Sequence, residues 1–321
     1  MIPYKFFFSF AFVDTLTELL QSENVIVDLN RTKLFERTEA AFYCLHESEI
    51  ISLKETANVV VRELLNMEPN LCKKSQTISI RFDDSELEND GRDVVLQAKD
   101  DELNIGINWN LGVKYRHVRI LRGMAPNNRK CIADIGMEWF GAESSQRYFD
   151  KMQIVVDKLS ESLGKSWNSA FKDKVSEVYE PILDILKEEI RFVCDTYPEA
   201  PANMIRKFVG YYDFYEITPI ARSEKVRVAA YNMNGTLGNG SCDYINKIQY
   251  PTRLIEVGPK ELPNGELSRT MLALVFDNGW EIEMRIHNAS LKIGQGGLVL
   301  DVKMVGSPHG LYKKQLMREK Y

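Results

Sequence analysis

Apolar positions near the start of the chain follow a helical period. Phe6-Phe7-Phe8-Ser9-Phe10-Ala11-Phe12-Val13 is continued by Leu16, Leu19 and Leu20, which predicts a buried helix over residues 8–21. Ser52-Leu53-Lys54-Glu55 has the form of a capping box, with Val59, Val60, Leu64 and Leu65 at helical spacing after it and Pro69 beyond the stop. The pattern then changes to period two. Residues 77–82 alternate as a strand, and Asp93-Val94-Val95-Leu96 predicts a second. The acidic turn Lys99-Asp100-Asp101-Glu102 leads into a third strand, Leu103 to Trp109. Its alternation puts Glu102, Asn104, Gly106 and Asn108 on one face and Leu103, Ile105, Ile107 and Trp109 on the other, towards a core.

Helical spacing returns between about 144 and 195. Phe149, Ile154, Val155 and Leu159 form one stripe, ended by Gly164. Val175, Val178, Ile182, Ile185, Ile190 and Val193 form another, which Pro181 should kink or split. Tyr197-Pro198-Glu199-Ala200-Pro201 reads as a loop. After about 222 the chain becomes β-rich. Met271–Phe276 and Trp280–His287 flank Asp277-Asn278-Gly279, a hairpin signal because Asn-Gly suits a type I′ turn. Leu298 to Met304 alternates again. The expected class is α+β: a mixed β-sheet flanked by helices, with a β-rich C-terminal part. The expected division is residues 1–215 as a core with helical segments and 216–321 as a β-rich part packed as one unit with it.

Composition narrows the function classes. With 321 residues, 44% hydrophobic and 27% charged, the chain is an ordinary globular protein. Its net charge of −5 requires any binding of a polyanion to use a locally basic face. Five scattered cysteines without C-x-x-C spacing predict reduced thiols and a cytoplasmic setting. The Phe-rich run after Lys5 is too short to span a membrane, and no cleavage site of signal-peptide type follows it. No P-loop, H-E-x-x-H, G-x-S-x-G, G-x-G-x-x-G or methyltransferase motif pair is present.

The candidate chemistry lies in the 83–130 stretch. Asp93 and Glu102 are carboxylates on adjacent strands, the arrangement that holds a divalent metal, with Asp83, Asp84 and Asp90 just upstream. From Ile105 to Ala133 there is no acidic residue, while Lys114, Arg116, Arg119, Arg122, Arg129 and Lys130 are basic and His117 sits among them. Lys114, Arg116, His117, Arg119 and Arg122 are candidate phosphate contacts. Carboxylates beside cations suggest metal-dependent cutting of nucleic acid; a solvated acidic turn and a basic solvent face are the plain alternative. Arg285 and His287 share a strand face with Glu283, and Arg285 could clasp a guanine edge or pair with Glu281 or Glu283. Asn232 and Asn288 could offer amides to bases; for Asn232 turn chemistry before Gly235 competes.

These residues also carry a resemblance. Arg92-Asp93-Val94, Ile105-Gly106-Ile107, Arg116-His117-Val118-Arg119 and Gly136-Met137-Glu138-Trp139-Phe140-Gly141 resemble the HaeIII family of type II restriction endonucleases. So do Tyr231-Asn232-Met233-Asn234-Gly235, Asp277-Asn278-Gly279-Trp280 and, most specifically, Arg285-Ile286-His287-Asn288-Ala289-Ser290. The resemblance implies a restriction-endonuclease-like core of the PD-(D/E)xK kind, Mg²⁺-dependent cleavage of double-stranded DNA at GGCC, and Asp93 as a catalytic metal ligand. It also implies a bacterial cytoplasmic protein, a homodimer on a palindrome, no membrane, and a cognate DNA methyltransferase as a separate protein.

The chain departs from the family just after Asp93. The family's second strand reads roughly W-E-I-G-x-S-x-K-H-N; here its Glu position is Asn104, and its Lys position is Asn108 or Asn110, depending on a one-residue gap. Where the family's first helix reads A-F-E, this chain has Ala11-Phe12-Val13, with Asp14 next. Asn is a poorer Mg²⁺ ligand than a carboxylate and cannot supply a Lys charge. Glu102 could replace the lost acid, and Lys99 or Lys114 the lost cation; alternatively the protein binds a specific DNA site with a degraded or inactivated catalytic centre. A protein with no nucleic-acid role is the remaining reading.

Overall fold

The architecture is α+β, with helices flanking mixed and antiparallel sheets. A computed structural model describes residues 4–82, 92–98, 103–109, 116–122, 129–220, 223–241, 244–294 and 297–318. The elements run α1 (Tyr4–Ser22), β1 (Ile26–Asn30), α2 (Lys33–Phe42), α3 (Glu47–Met67), β2 (Thr77–Phe82), β3 (Val94–Ala98), β4 (Asn104–Trp109) and β5 (Arg116–Leu121). Next come α4 (Gln146–Ser160), α5 (Trp167–Ala170), α6 (Glu180–Thr196), α7 (Ala200–Val209), β6 (Phe214–Pro219) and β7 (Lys225–Tyr231). The chain ends with β8 (Leu254–Glu261), β9 (Leu267–Phe276), β10 (Glu281–Asn288), β11 (Leu298–Met304) and β12 (Tyr312–Met317).

Contacts divide the chain into two compact units that interleave along the sequence: residues 1–113, 210–249 and 310–321 form one, and 114–209 with 250–309 the other. This differs from a single cut near residue 215. The physical reason is strand pairing: β6 and β7 continue the sheet begun by β1 to β4, while β5 pairs with β11 far along the chain.

The first unit holds a seven-stranded mixed sheet in the order β1-β2-β3-β4-β6-β7-β12. The β1–β2 and β4–β6 pairs are parallel and the others antiparallel. Helix α1 is apolar almost all round and is accordingly buried from Phe7 through Val13. Its core partners include Phe35, Phe42, Leu53, Val60, Ile78, Ile80, Val94, Leu96, Ile105, Ile107 and Trp109. Ile105, Ile107 and Trp109 thus face the core as the alternation predicts, with Leu103 packed against it.

Helix α3 begins earlier than the Ser52 capping box implies. His46 is the N-cap: its Nδ1 accepts from the Ser48 N–H at 3.3 Å, and Glu49 Oε2 accepts from the His46 N–H at 3.3 Å. Ser52 lies inside the helix, where its carbonyl accepts from Thr56 Oγ1 at 2.8 Å. Histidine can fill the acceptor role of Ser or Asp, so the reciprocal pair formed six residues upstream of the motif.

The second unit is built on an antiparallel sheet in the order β5-β11-β10-β9-β8. The hairpin between β9 and β10 forms as expected, with Asn278 at φ 57° and Gly279 at φ 77°, the two positive values a type I′ turn needs. Helix α4 buries Leu159 of the predicted stripe together with Tyr148, Met152 and Val156, while Phe149 and Val155 are half-buried and Ile154 is 70% exposed. The buried Tyr148 hydroxyl donates to the Ala133 carbonyl at 2.9 Å. No split occurs at Pro181: a π-helical turn at Val175–Tyr179 passes directly into α6, whose first turn carries the proline, where its missing N–H is tolerated. Ala200 and Pro201 open α7 and do not belong to the preceding loop.

In the first unit, Glu68 sits fully buried at the end of α3. Its Oε1 accepts from Tyr215 Oη and from the Gly238 N–H, each at 2.6 Å, and its Oε2 is unpartnered. Burial pushes its carboxyl up to about 7, against the opposing pull of those two hydrogen bonds. Between the ordinary carboxylate value and about 7, the folded protein holds a proton that the unfolded chain has lost. Stability therefore falls as pH rises through that window, by on the order of 3 kcal/mol in full. Glu68→Gln keeps the acceptor oxygen and removes the charge. It should raise the Tm at pH 8 and flatten the decline between pH 5 and 8; thermal melts of both proteins across that range check it, and an unchanged slope would contradict the assignment.

Candidate active site

Asp93 stands at the start of β3 and is 5% exposed. The β3–β4 ladder pairs Val94 with Ile107, so Asp93 is the next residue out and crosses β4 at Asn108. Three bonds fix it there. Its N–H donates to the Ile107 carbonyl at 2.7 Å, the Trp109 N–H donates to its Oδ2 at 2.8 Å, and Lys5 Nζ donates to its Oδ1 at 3.0 Å. The first two partners flank Asn108 on either side. An ionised carboxylate has about four acceptor sites, so Asp93 keeps lone pairs after these contacts.

Lys5 comes from the first turn of α1. One turn on, Phe8 stacks on Trp109 with ring centroids 5.1 Å apart; a further turn on, Phe12 meets the same ring edge-on at 5.9 Å. The i, i+3, i+7 spacing puts Lys5, Phe8 and Phe12 on one helix face. In the sequence, Lys5 stands as a charge preceding an apolar run. The signal that could have found it is that spacing, matched against a strand ending in Trp.

Asn108 is fully buried, and both its amide nitrogen and its carbonyl oxygen lack a hydrogen-bond partner among the described residues. Asn104 is elsewhere. It pairs across the ladder with Gln97, four residues and roughly 13 Å along β4 from Asn108. Its Oδ1 accepts from Arg92 Nη1 at 2.8 Å. The Arg92 side chain lies so close over Gly106 that a Cβ there would collide with it and with Phe214, and its guanidinium stacks on Tyr212 at 4.0 Å. Of the two Asn positions on this strand, the fold brings Asn108 to Asp93 and leaves Asn104 with Arg92. Glu102, Asn110 and Lys114 lie outside the described residues, as do Lys99, Asp83, Asp84 and Asp90. Among the described residues, no three His, Cys, Asp or Glu side chains cluster as a metal site would.

In the second unit, the strand register gathers residues that are far apart in sequence. Val299 on β11 pairs with Arg119 on β5 and with His287 on β10. Asp301 pairs with Arg285 on one side and with the His117 backbone on the other. Cross-strand partners share a face, so Arg119, His287 and Arg285 line one side of the sheet together with Asp301 and Glu283. Arg119 and Arg285 are exposed, and Arg285 forms no ion pair among the described residues. The Glu283 that might have held Arg285 is engaged by Lys260. His287 Nδ1 lies 3.5 Å from Asp301 Oδ2. Arg116 lies on β5 opposite Val302, and Arg122 pairs with Glu138 at 2.5 Å.

Two asparagines are not available to a ligand as they stand. Asn232 is 2% exposed; its amide donates to the Leu237 and Ile245 carbonyls, and its Oδ1 accepts from the Leu237 N–H, so it clamps a loop. Asn288 Oδ1 accepts from Tyr179 Oη at 2.9 Å and Lys174 Nζ at 3.2 Å, and its nitrogen donates to Ser290 O, tying β10 to the π-helical turn.

The model of the HaeIII restriction endonuclease family matches residues 6–308, a span that takes in both sheets. The chain belongs to that family. A curated relative, the type II restriction enzyme HaeIII of Haemophilus aegyptius, is 27% identical over 313 residues, covering 94% of this chain and 93% of that protein. No solved structure matches. In this member of the HaeIII family, a buried carboxylate, Asp93, lies across the ladder from a buried amide, Asn108, that has no partner among the described residues.

Leaving an amide unpaired in the interior costs about 1–3 kcal/mol. Asn108→Val fills similar space on a strand without polar atoms. It should raise stability by that order in urea unfolding while lowering cleavage of DNA; a destabilised variant would mean that the amide has an internal partner.

Proposed function

We propose that this member of the HaeIII family is a Mg²⁺-dependent endonuclease cutting double-stranded DNA at GGCC. The observation that carries the reading is Asp93. It is a buried carboxylate at a strand start, anchored from its own strand, from β4 and from α1, with an orphaned amide across from it. A buried acid and a buried unsatisfied amide side by side are costly unless they serve a ligand.

The donor set fits Mg²⁺. That ion keeps several waters and takes only one or two protein carboxylates alongside substrate phosphate. Asp93 has lone pairs to spare, and Asn108 has an unpartnered carbonyl oxygen; these two residues would hold it. When bound, the ion stabilises charge on the phosphate and makes the attacking water more acidic. The protein's part is to fix Asp93, to exclude competing water around a core-lined strand end, and to position the duplex.

Reading of sequence falls to the five-stranded sheet. Arg285 is exposed and, among the described residues, without an ion pair, and a guanidinium clasping guanine O6 and N7 is worth ~1–3 kcal/mol of discrimination. Arg119, exposed on β5, would bring positive charge to phosphates, with salt dependence to match. A palindromic target suits a two-fold dimer, one site per strand, and a cognate methyltransferase as a separate protein would protect host DNA. No helix among the described residues is long and apolar enough to cross a membrane.

With Mg²⁺, the protein should convert a plasmid into fragments ending at one short sequence, while Asp93→Ala gives none and still retards the same DNA with Ca²⁺. Arg285→Ala should cut GGCC more slowly and discriminate less against sites differing by one base. Retardation without fragments from the unaltered protein, at any excess and with Mg²⁺ or Mn²⁺, would instead assign binding without cleavage.

A further inference from the structure

Cleavage of a phosphodiester needs a cation near the metal-holding acid to neutralise charge that develops on the phosphate. The position where the family carries its Lys is an Asn in this chain. We propose that Lys5, from the first turn of α1, supplies that cation as a catalytic residue; the inference rests on the endonuclease reading above.

The geometry supports it from three directions. Lys5 Nζ is 3.0 Å from Asp93 Oδ1, and while the Asp93 side chain is 7% exposed, that of Lys5 is 42% exposed. A simple surface ion pair has both ends in water and contributes little; here a buried acid is met by a cation that still reaches solvent. An ammonium has three N–H donors and the bond to Asp93 uses one, so others remain for an incoming phosphate oxygen. The helix that carries it is not free to slide. Phe8 and Phe12, on the same face, pack on Trp109, and the Trp109 N–H binds the other oxygen of Asp93. The ammonium also lies 4.9 Å from the Phe6 ring centroid, which limits its swing. A strand lysine reaches a strand acid through the sheet; Lys5 reaches it through a helix pinned to the same strand end.

In the reaction, a water oxygen forms a bond to phosphorus and the bond from phosphorus to the leaving sugar oxygen breaks. The water gives a proton to solvent and the leaving oxygen takes one up. Lys5 remains an ammonium throughout and donates an N–H to a non-bridging phosphate oxygen.

The test uses the full chain with Lys5→Met and Lys5→Arg. Three quantities are compared: single-turnover cleavage of a GGCC duplex with Mg²⁺, retardation of that duplex with Ca²⁺, and Mn²⁺ binding to the DNA-free protein by calorimetry. Lys5→Met should slow cleavage about 100-fold or more, with DNA retardation within a few-fold of the unaltered protein. Its Mn²⁺ binding should be unchanged or tighter, because the ammonium that competes for Asp93 is gone. Lys5→Arg should recover at least tenfold of the loss. Cleavage by Lys5→Met within threefold of the unaltered protein, with Asp93→Ala inactive, overturns the role of Lys5 and leaves the endonuclease reading standing. So does a joint loss of DNA binding, Mn²⁺ binding and Tm, which marks a purely structural pair. If Lys5→Met does not fold, Lys5→Arg decides: an unchanged Tm with cleavage reduced about tenfold supports the role, and an unchanged rate overturns it. Failure of the unaltered protein to cut overturns both readings.

Discussion

Everything at the candidate centre depends on how α1 is pressed against the end of β4. Phe8 stacks on the Trp109 ring and Phe12 meets it edge-on, and each aromatic pair adds about 0.5–1.5 kcal/mol beyond its buried area. With Trp109 held, its N–H is aimed at Asp93, and the first turn of α1 brings Lys5 to the other carboxylate oxygen. The apolar packing thus sets the direction of a polar group. This is a tertiary effect: neither strand nor helix would position Asp93 alone.

The same unit shows that it tolerates unfavourable polar burial at more than one place, and the two cases differ. Glu68 is buried with one oxygen satisfied by Tyr215 and Gly238, and it answers burial by holding its proton up to about neutral pH. Asn108 has no proton to gain. Its unpartnered amide stays a cost until something outside the protein meets it. A titratable group can relax the penalty by itself; an amide cannot, and for that reason Asn108 is the stronger sign of a ligand.

Much of this was legible in the sequence where a pattern is local. The period-two alternation of 103–109 placed Ile105, Ile107 and Trp109 in the core, and the Asn-Gly pair announced the β9–β10 turn. Arg285 and His287 fell on one face because strand geometry leaves no other choice. What failed was competition among local signals: two capping boxes lay within ten residues, and the one built on His46 formed. In α4 an apolar count favoured Ile154, whereas the fold buried Tyr148. The spacing of Lys5, Phe8 and Phe12 marks one helix face but does not name Asp93, because that partner is 88 residues away and the contact is made through helix packing. The interleaving of the two units was equally hidden, since it depends on which strands meet rather than on where composition shifts.

The setting of Asn104 becomes intelligible in the same terms. Asn104 sits roughly 13 Å along the strand from the Asp93 crossing, too far to share an ion with it. What it contacts is Arg92, whose side chain lies over Gly106 and stacks on Tyr212. At that place the need is for an acceptor to steady a guanidinium over a glycine. An amide oxygen meets the need as a carboxylate does, with less charge. The residue at 104 therefore bears on the support of Arg92 and not on the contacts of Asp93. The charge that meets Asp93 among the described residues arrives from another element altogether, on the first turn of α1.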